Sequence, residues 1–222
     1  MFGPIMRFRT HSGVQIEMRP ISRDDMPGFI SAGGLQSYEV LKFLGRRQAP
    51  VLDDEYAWYD SARVATDKIV WGYYVVEEGR KTLIGSTDLR DIGKEFLPCY
   101  TATGGVVIFR QDMWGKGIVS ACHKALTMYA FDYMGLDAIS AGVHVLNEAS
   151  LKSVVNIGYV PMYIDRESGL HQGRANEAWQ LRQVNPSGRW WRNATPPTKE
   201  WKDAAVKTKA ALKWARDSVE LP

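Results

Sequence analysis

Arg110 to Leu136, "RQDMWGKGIVSACHKALTMYAFDYMGL", limits the fold more than any other stretch of the chain. Gly115 and Gly117 stand one residue apart, directly before an amphipathic run. In that run Ile118, Cys122, Ala125, Tyr129 and Tyr133 recur at spacings of three and four, with Leu126 and Ala130 on the same side. This spacing predicts about four turns of helix, which Gly135 can end. The β-rich run "TATGGVVIF" precedes it and "DAISAGVHVL" follows it. A strand, helix, strand unit at the centre of the chain implies an α/β or α+β architecture and excludes a bundle or a sandwich. Gly104 and Gly105 within the first run mark a bulge or a close backbone approach.

The flanking segments fit that class. "GVQIEMRPIS" alternates Val14, Ile16 and Met18 with polar neighbours and reads as a first strand. "SRDDMPGFISAGGL" reads as a short helix with Ser22 as N-cap and two acidic residues in its first turn, and "DDEYAWYDSARV" as a second helix. Ile69 to Val76 and Thr82 to Leu89 read as a hairpin. "NEASLKSVVNIG" opens a further helix at Asn147, and "YVPMYIDRE" and "ANEAWQLRQV" are strands around a polar connection, Ser168 to Arg174. "NPSGRWWRNATPPTKE" is the best boundary, dividing a domain over 1–185 from a tail over 186–222. In the tail, Thr198 can cap a helix with Trp201, Ala205, Thr208, Leu212, Ala215 and Val219 on one stripe.

A glycine turn running into a helix leaves first-turn N–H groups unpaired at the positive end of the helix dipole. That makes an anion site, and glycine lets a phosphate approach the main chain closely. The same glycines also serve as a plain helix start. Two phosphate motifs are excluded. The P-loop spacing and its Lys-Ser/Thr are absent, and the dinucleotide fingerprint would need a third glycine where Ser120 stands.

The order of these features resembles the GNAT superfamily of N-acetyltransferases. In that superfamily a Gln/Arg-x-x-Gly-x-Gly/Ala turn lies between the fourth strand and third helix, before a strand, an Asn-x-x-Ser/Ala helix and a Gly-Phe/Tyr pair. Here "WGKGIV", "NEAS" at Asn147 and "IGY" at Gly158-Tyr159 take those places. The pattern is closest to the branch containing the ribosomal-protein alanine acetyltransferases, with "RP" near the start and "LIGSTDL" in the third strand. It spans roughly Gln15 to Val184.

The resemblance implies a central, mixed, mostly antiparallel sheet of six to seven strands flanked by helices, plus an appended C-terminal helix. It implies acetyl-CoA as co-substrate, with pyrophosphate at Trp114, Gly115, Lys116, Gly117, Ile118, Val119 and Ser120. The pantetheine arm would lie along a splayed strand edge, Thr103 to Ile108, with Val106, Val107 and Ile108 among its binding residues. Asn147 would hold the arm, and Ser150 would lie near the sulfur and protonate the departing thiolate; both residues can also cap the helix. The sequence departs from the pattern at three positions. Val119 replaces the last small residue of the turn, Thr103 stands where many members carry a glutamate base, and Val154 stands where some carry a tyrosine acid.

His144 suits a general base at neutral pH, ahead of Asp88 and Glu148. An α-amine acceptor, with a pKa of about 7.7 to 8.0, needs a base less than lysine at about 10.4. The expected acceptors are a protein N-terminus, a small-molecule amine or an aminoacyl-tRNA, in that order. The rival reading is a non-catalytic acyl-CoA-binding or interaction protein.

Composition supplies the remaining expectations. The net charge is +3, and Pro186 to Pro222 holds eight basic against four acidic residues, leaving 20 against 21 before it. The whole positive excess lies in the tail. With Trp190 and Trp191 between two arginines, that tail could meet nucleic acid, although the favoured reading is that the tryptophans clamp the helix onto the domain. A homodimer contact through the helix is a further option. Cys99 and Cys122, with His11, His123, His144 and His171 far apart, give neither zinc spacing nor a disulfide framework, so both thiols are expected reduced. Neither a signal-peptide run nor a membrane span is visible, and a cytoplasmic location is expected.

Overall fold

Apolar alternation builds the sheet from its first edge inward. In the computed structural model, which describes residues 1–44, 48–93, 100–167, 170–171, 174–188 and 197–222, Met6 and Phe8 are buried while Arg7 and Arg9 point away from them. This strand β1 (Met6–Arg9) was not expected; its "MRFR" alternation is only two periods long. It pairs with β2 (Gln15–Arg19), and the chain then passes through α1 (Met26–Ile30), α2 (Tyr38–Leu41) and α3 (Leu52–Val64). The acidic first turn at Ser22 does cap the entry, since Asp25 Oδ2 accepts from the Ser22 N–H and hydroxyl, both at 2.7 Å. The expected helix there is broken into 3-10 turns around α1.

The predicted hairpin is β3 (Ile69–Glu77) and β4 (Arg80–Arg90), turning through Glu78 and Gly79 at positive φ. Then follow β5 (Thr101–Ile108), α4 (Ile118–Met128), β6 (Ala138–His144), α5 (Glu148–Asn156), β7 (Val160–Asp165), the two-residue strands β8 (Leu170–His171) and β9 (Arg174–Ala175), β10 (Ala178–Val184) and α6 (Lys199–Ser218). One sheet of eight strands results, in the order β1-β2-β3-β4-β5-β6-β10-β7, with β8 and β9 paired separately inside the predicted polar connection. All its pairings are antiparallel except β5 with β6. The sheet exceeds the expected six to seven strands because of β1.

Each sheet face has its own core. Met6, Phe8, Ile16, Met18, Trp71 and Tyr73 pack with α4 and α6, while Val70, Tyr74 and Leu83 pack with Met26, Phe29 and Ala62 on the other side. α4 ends in a wider five-residue turn, Tyr129–Tyr133, where the Met134 N–H donates to Tyr129 O at 3.1 Å. That extra residue rotates the helix end. Tyr133, expected on the buried stripe, is therefore exposed, and Phe131 is buried instead. Gly135 follows at φ 69, as a helix end requires.

The tail helix packs on its own chain. Ala204, Thr208, Ala211, Leu212 and Ala215 are buried, against an expected stripe that shared Thr208, Leu212 and Ala215 with them. A buried amide network locks this packing. Gln183 Nε2 donates to Ile157 O at 2.7 Å and reaches Thr208 Oγ1 at 3.4 Å, while Thr127 Oγ1 donates to Gln183 Oε1 at 3.0 Å. Cys122 is buried and free; Cys99, Trp190 and Trp191 lie outside the described residues. Among the described residues no helix is long and apolar enough to cross a membrane, and no cluster of three metal-ligating groups occurs.

On the face of β2 turned away from α4 and α6, opposite Tyr74, the carboxylate of Glu17 is 2% exposed and meets Arg7 Nε at 2.8 Å, Lys81 Nζ at 2.7 Å and Arg19 Nη1 at 3.5 Å. Burial pushes its pKa up, but hydrogen bonds from Lys81 and Arg7 outweigh that and hold it below the usual carboxylate value. A depressed folded-state pKa gives stability that is present above the unfolded value, about 4.3, and is lost as pH falls through the folded value. Urea unfolding from pH 7 to pH 3 should therefore show Glu17→Gln less stable than the parent at pH 7, with the difference shrinking below about pH 4.

Candidate functional site

The defining feature of the site is a pair of strands that part. β5 and β6 hold parallel register for three residues only, the last pair being Thr103 with Ser140. Beyond it β5 stays on β4 as far as Ile108, and β6 stays on β10 as far as His144. The β6-facing backbone from Gly104 to Ile108 is thus left as an edge in the middle of a sheet. Val106, Val107 and Ile108, predicted as such an edge, lie on it, with Val106 and Ile108 on the α4 face and Val107 on the other.

Gly104 and Gly105 make no bulge, since the β4–β5 register runs unbroken; they are close approaches instead. A β-carbon on Gly104 would stand 3.3 Å from Ile139 Cγ2 and 3.8 Å from the Tyr159 hydroxyl. One on Gly105 would stand 2.7 Å from Arg90 Nη1 and 2.8 Å from Asp88 Oδ1.

The glycine turn follows the open edge. Trp114, 45% exposed, donates its indole N–H to Ile108 O at 2.9 Å and so fastens the turn to the end of β5. Gly115 and Gly117 take φ 76 and 72, and Gly117 is the N-cap of α4. The Ala121 N–H is the donor that reaches Gly117 O, at 3.1 Å, so the N–H groups of Ile118, Val119 and Ser120 precede the first intrahelical bond. No acidic side chain stands in this first turn. Val119 packs against the main core, which keeps its bulk away from those donors. Lys116 is half-buried, its Nζ 3.6 Å from Met113 Sδ.

Across the opening, Asn147 caps α5, its Oδ1 accepting from the Ser150 N–H at 3.1 Å. The capping role read from the sequence is present, and it holds the half-buried Ser150 in the first turn. His144, 7% exposed, accepts the Leu146 N–H on Nδ1 at 3.1 Å, which puts the ring proton on Nε2. In that tautomer Nε2 cannot take a proton from an amine. Asp88 is also committed, to Lys68 Nζ at 3.1 Å and Arg90 Nη1 at 2.9 Å.

Sequence reasoning missed two neighbours of the site. The segment around α2 straddles the parted strands: Gln111 Nε2 donates to Ser37 Oγ at 2.7 Å beyond β5, and the Phe43 ring lies 5.2 Å from that of His144 at the end of β6. The turn between β1 and β2 docks on the glycine turn, with Ser12 Oγ donating to Lys116 O at 2.8 Å. Both contacts join segments far apart in the chain, and no local pattern announces them.

The acetyltransferase (GNAT) domain family matches residues 15–160. Among solved structures, Mycobacterium smegmatis RimJ in complex with CoA-disulfide is similar with a TM-score of 0.69 at 13% identity, over 94% of each chain. The Vibrio cholerae spermidine N-acetyltransferase in complex with CoA and spermine gives 0.64 at 19% identity, over 76% of this chain and 95% of that one. A Bacillus anthracis acetyltransferase of the GNAT family gives 0.62 at 16% identity, over 80% and 98%. No curated protein matches this sequence.

Gly117 is constrained twice, by its positive φ and by His11, whose ring fills the space a β-carbon would need. Gly117→Ala should lower stability by about 1–3 kcal/mol in urea unfolding. Adding His11→Ala should recover the steric part of that loss and leave about 1 kcal/mol from φ.

Proposed function

The chain belongs to the acetyltransferase (GNAT) family, and we propose that it transfers the acetyl group of acetyl-CoA to a primary amine by direct attack in a ternary complex. A protein N-terminus or a small-molecule α-amine is the favoured acceptor. The observation that carries the reading is the joint opening of the β5 edge, the first turn of α4 and the capped start of α5. The three features suit three parts of one molecule. A pyrophosphate fits N–H donors at a helix start, a pantetheine arm with two amides pairs like an added strand with the Gly104–Ile108 backbone, and a thioester at the parting point lies toward α5.

In this reading Trp114 to Ser120 bind phosphate, Val106, Val107 and Ile108 bind the arm, and Asn147 both caps α5 and offers its amide N–H to the arm. The acceptor nitrogen attacks the thioester carbonyl carbon; as the C–N bond forms and the C–S bond breaks, Ser150 gives its hydroxyl proton to the thiolate and is reprotonated, through water, by the proton that the attacking nitrogen loses on becoming an amide. The attacking nitrogen must first be neutral. With Asp88 in ion pairs and His144 holding its proton on Nε2, the residues at hand offer weak bases only. That supports an α-amine, partly neutral at pH 7 to 8 without help, over a lysine. RimJ, solved with CoA-disulfide, and the spermidine acetyltransferase, solved with CoA and spermine, share this architecture, which supports the cofactor assignment.

Calorimetric titration with acetyl-CoA should give one-site binding that Gly117→Glu abolishes, because a carboxylate would stand where the pyrophosphate lies. Release of free CoA with a panel of peptides and small α-amines should be saturable, and Ser150→Ala should lower kcat roughly 10–100-fold while leaving acetyl-CoA affinity within a factor of about three. Binding without release across the panel would favour the non-catalytic alternative.

A further inference from the structure

The turn between β1 and β2 is rigid and placed against the anion site. The Thr10 N–H donates to Val14 O at 2.9 Å, the Gly13 N–H to Thr10 O at 3.0 Å, and the Val14 N–H to Thr10 Oγ1 at 3.1 Å, so both ends of the turn are fixed. Ser12 then binds Lys116 O, and His11, at the tip, lies exposed with its ring against the α-carbon of Gly117. A β-carbon on Gly117 would collide with the imidazole where it stands.

Charge shows what the imidazole could do there. Acetyl-CoA carries a pyrophosphate and a ribose phosphate, whereas a helix start offers about half a positive charge. Side chains must supply the rest. Arg110 is held bidentate by Asp112 at 2.9 and 2.8 Å, and Arg9 is engaged by Gly13 O and Gln15 Oε1. Arg9 keeps its charge, but among the described residues around the turn Lys116 and His11 are the basic side chains that no carboxylate, carbonyl or amide oxygen already engages. We propose that His11 is a ligand of the cofactor pyrophosphate, closing the anion site from the β1–β2 side and binding as the protonated imidazolium.

The proposal rests on the acetyl-CoA reading above and makes a separate demand of it. A proton taken up or held more firmly on binding makes affinity strongest at low pH and weaker as pH rises through the histidine range. The other charged groups around this turn are Lys116, whose carbonyl holds Ser12, the Arg110–Asp112 pair close to Lys116, and Arg9 and Glu77, which line the groove beside Ser12 and Gly13. Lysine, arginine and ionised carboxylates hold their charge from pH 5.5 to 8. The ribose phosphate does titrate near pH 6 and with the opposite sign, so dephospho-CoA, which keeps only the pyrophosphate, is the cleaner probe.

The test is calorimetry of dephospho-CoA and CoA with the full chain and with His11→Gln and Lys116→Ala, at pH 5.5, 6.5 and 8. The parent should bind dephospho-CoA roughly 5- to 10-fold more tightly at pH 5.5 than at pH 8, the size of one charge-assisted hydrogen bond. His11→Gln should bind with the parent's pH 8 affinity at every pH, and Lys116→Ala should bind more weakly while keeping the parent's slope. If His11→Gln keeps both the affinity and the pH slope of the parent, the role of His11 is overturned and the acetyl-CoA reading stands. If the folded parent binds neither probe, the acetyl-CoA reading itself fails, and the proposal falls with it.

Discussion

A sheet whose two central strands stop pairing must satisfy the backbone groups it leaves open, and this requirement organises the molecule. Past Thr103 and Ser140, β5 and β6 each keep their outer partner and lose each other. Unpaired N–H and C=O groups inside a fold are costly unless water or a ligand meets them. In the proposed reading the gap is an opening for something that hydrogen-bonds as a strand does. The start of α4 and the start of α5 face that opening, so donors, a positive dipole end and a polar cap converge on it.

The parting is enforced from below. Tyr159, fully buried, places its hydroxyl beside the first unpaired residue, Gly104, and its ring meets His123 of α4 edge-on with centroids 6.3 Å apart. The tyrosine is set by the corner before it. Gly158 takes φ 105 and lies against Ala204 and Thr208 of α6 so closely that no β-carbon fits. Gln183 ties the same corner, through Ile157 O, to Thr208. The tail helix is thereby connected to the strand gap through two contacts, Thr208 to Gly158 and Tyr159 to Gly104, the first residue of the open edge. A helix that sequence composition sets apart as an appendage is, in packing terms, a support for the site's floor.

How much of this the sequence carries depends on the range of the interaction. The glycine turn, the caps at Asn147 and Ser22 and the β3–β4 hairpin are written in neighbouring residues, and local reading finds them; of the α6 stripe it finds Thr208, Leu212 and Ala215 and misses Ala204 and Ala211. The wider turn at Tyr129–Tyr133 is not, because the register shift that exposes Tyr133 is decided by what α4 packs on. His11 beside Gly117, Ser12 on Lys116 and Phe43 beside His144 depend on contacts about one hundred residues apart, which no spacing rule reaches. Gly104 and Gly105 show the intermediate case: their sequence signals either a bulge or a close approach, and only the tertiary neighbours Ile139, Asp88 and Arg90 decide between them. The edge strand β1 carries a usable alternation, but at four residues it competes with coil on equal terms.

The same geometry bears on the acceptor. On the face away from α4 the parted strands are bordered by Arg90 and Asp88, with Lys68 as the second partner of Asp88, and the segment around α2 crosses above them from Ser37 to Phe43. In the proposed reading, an acceptor that enters on this face meets a carboxylate already paired with two cations, which gives little drive to bind a dication or to strip a proton from a strongly basic ammonium. Arg90, whose side chain is 44% exposed, still has donors to offer to a carbonyl or carboxylate oxygen. A group pairing a weakly basic amine with a nearby acceptor oxygen, as the first residue of a peptide does, suits those surroundings better than a free polyamine. The charge on this side of the sheet thus supports the proposed acceptor class, as the weakness of the available bases does.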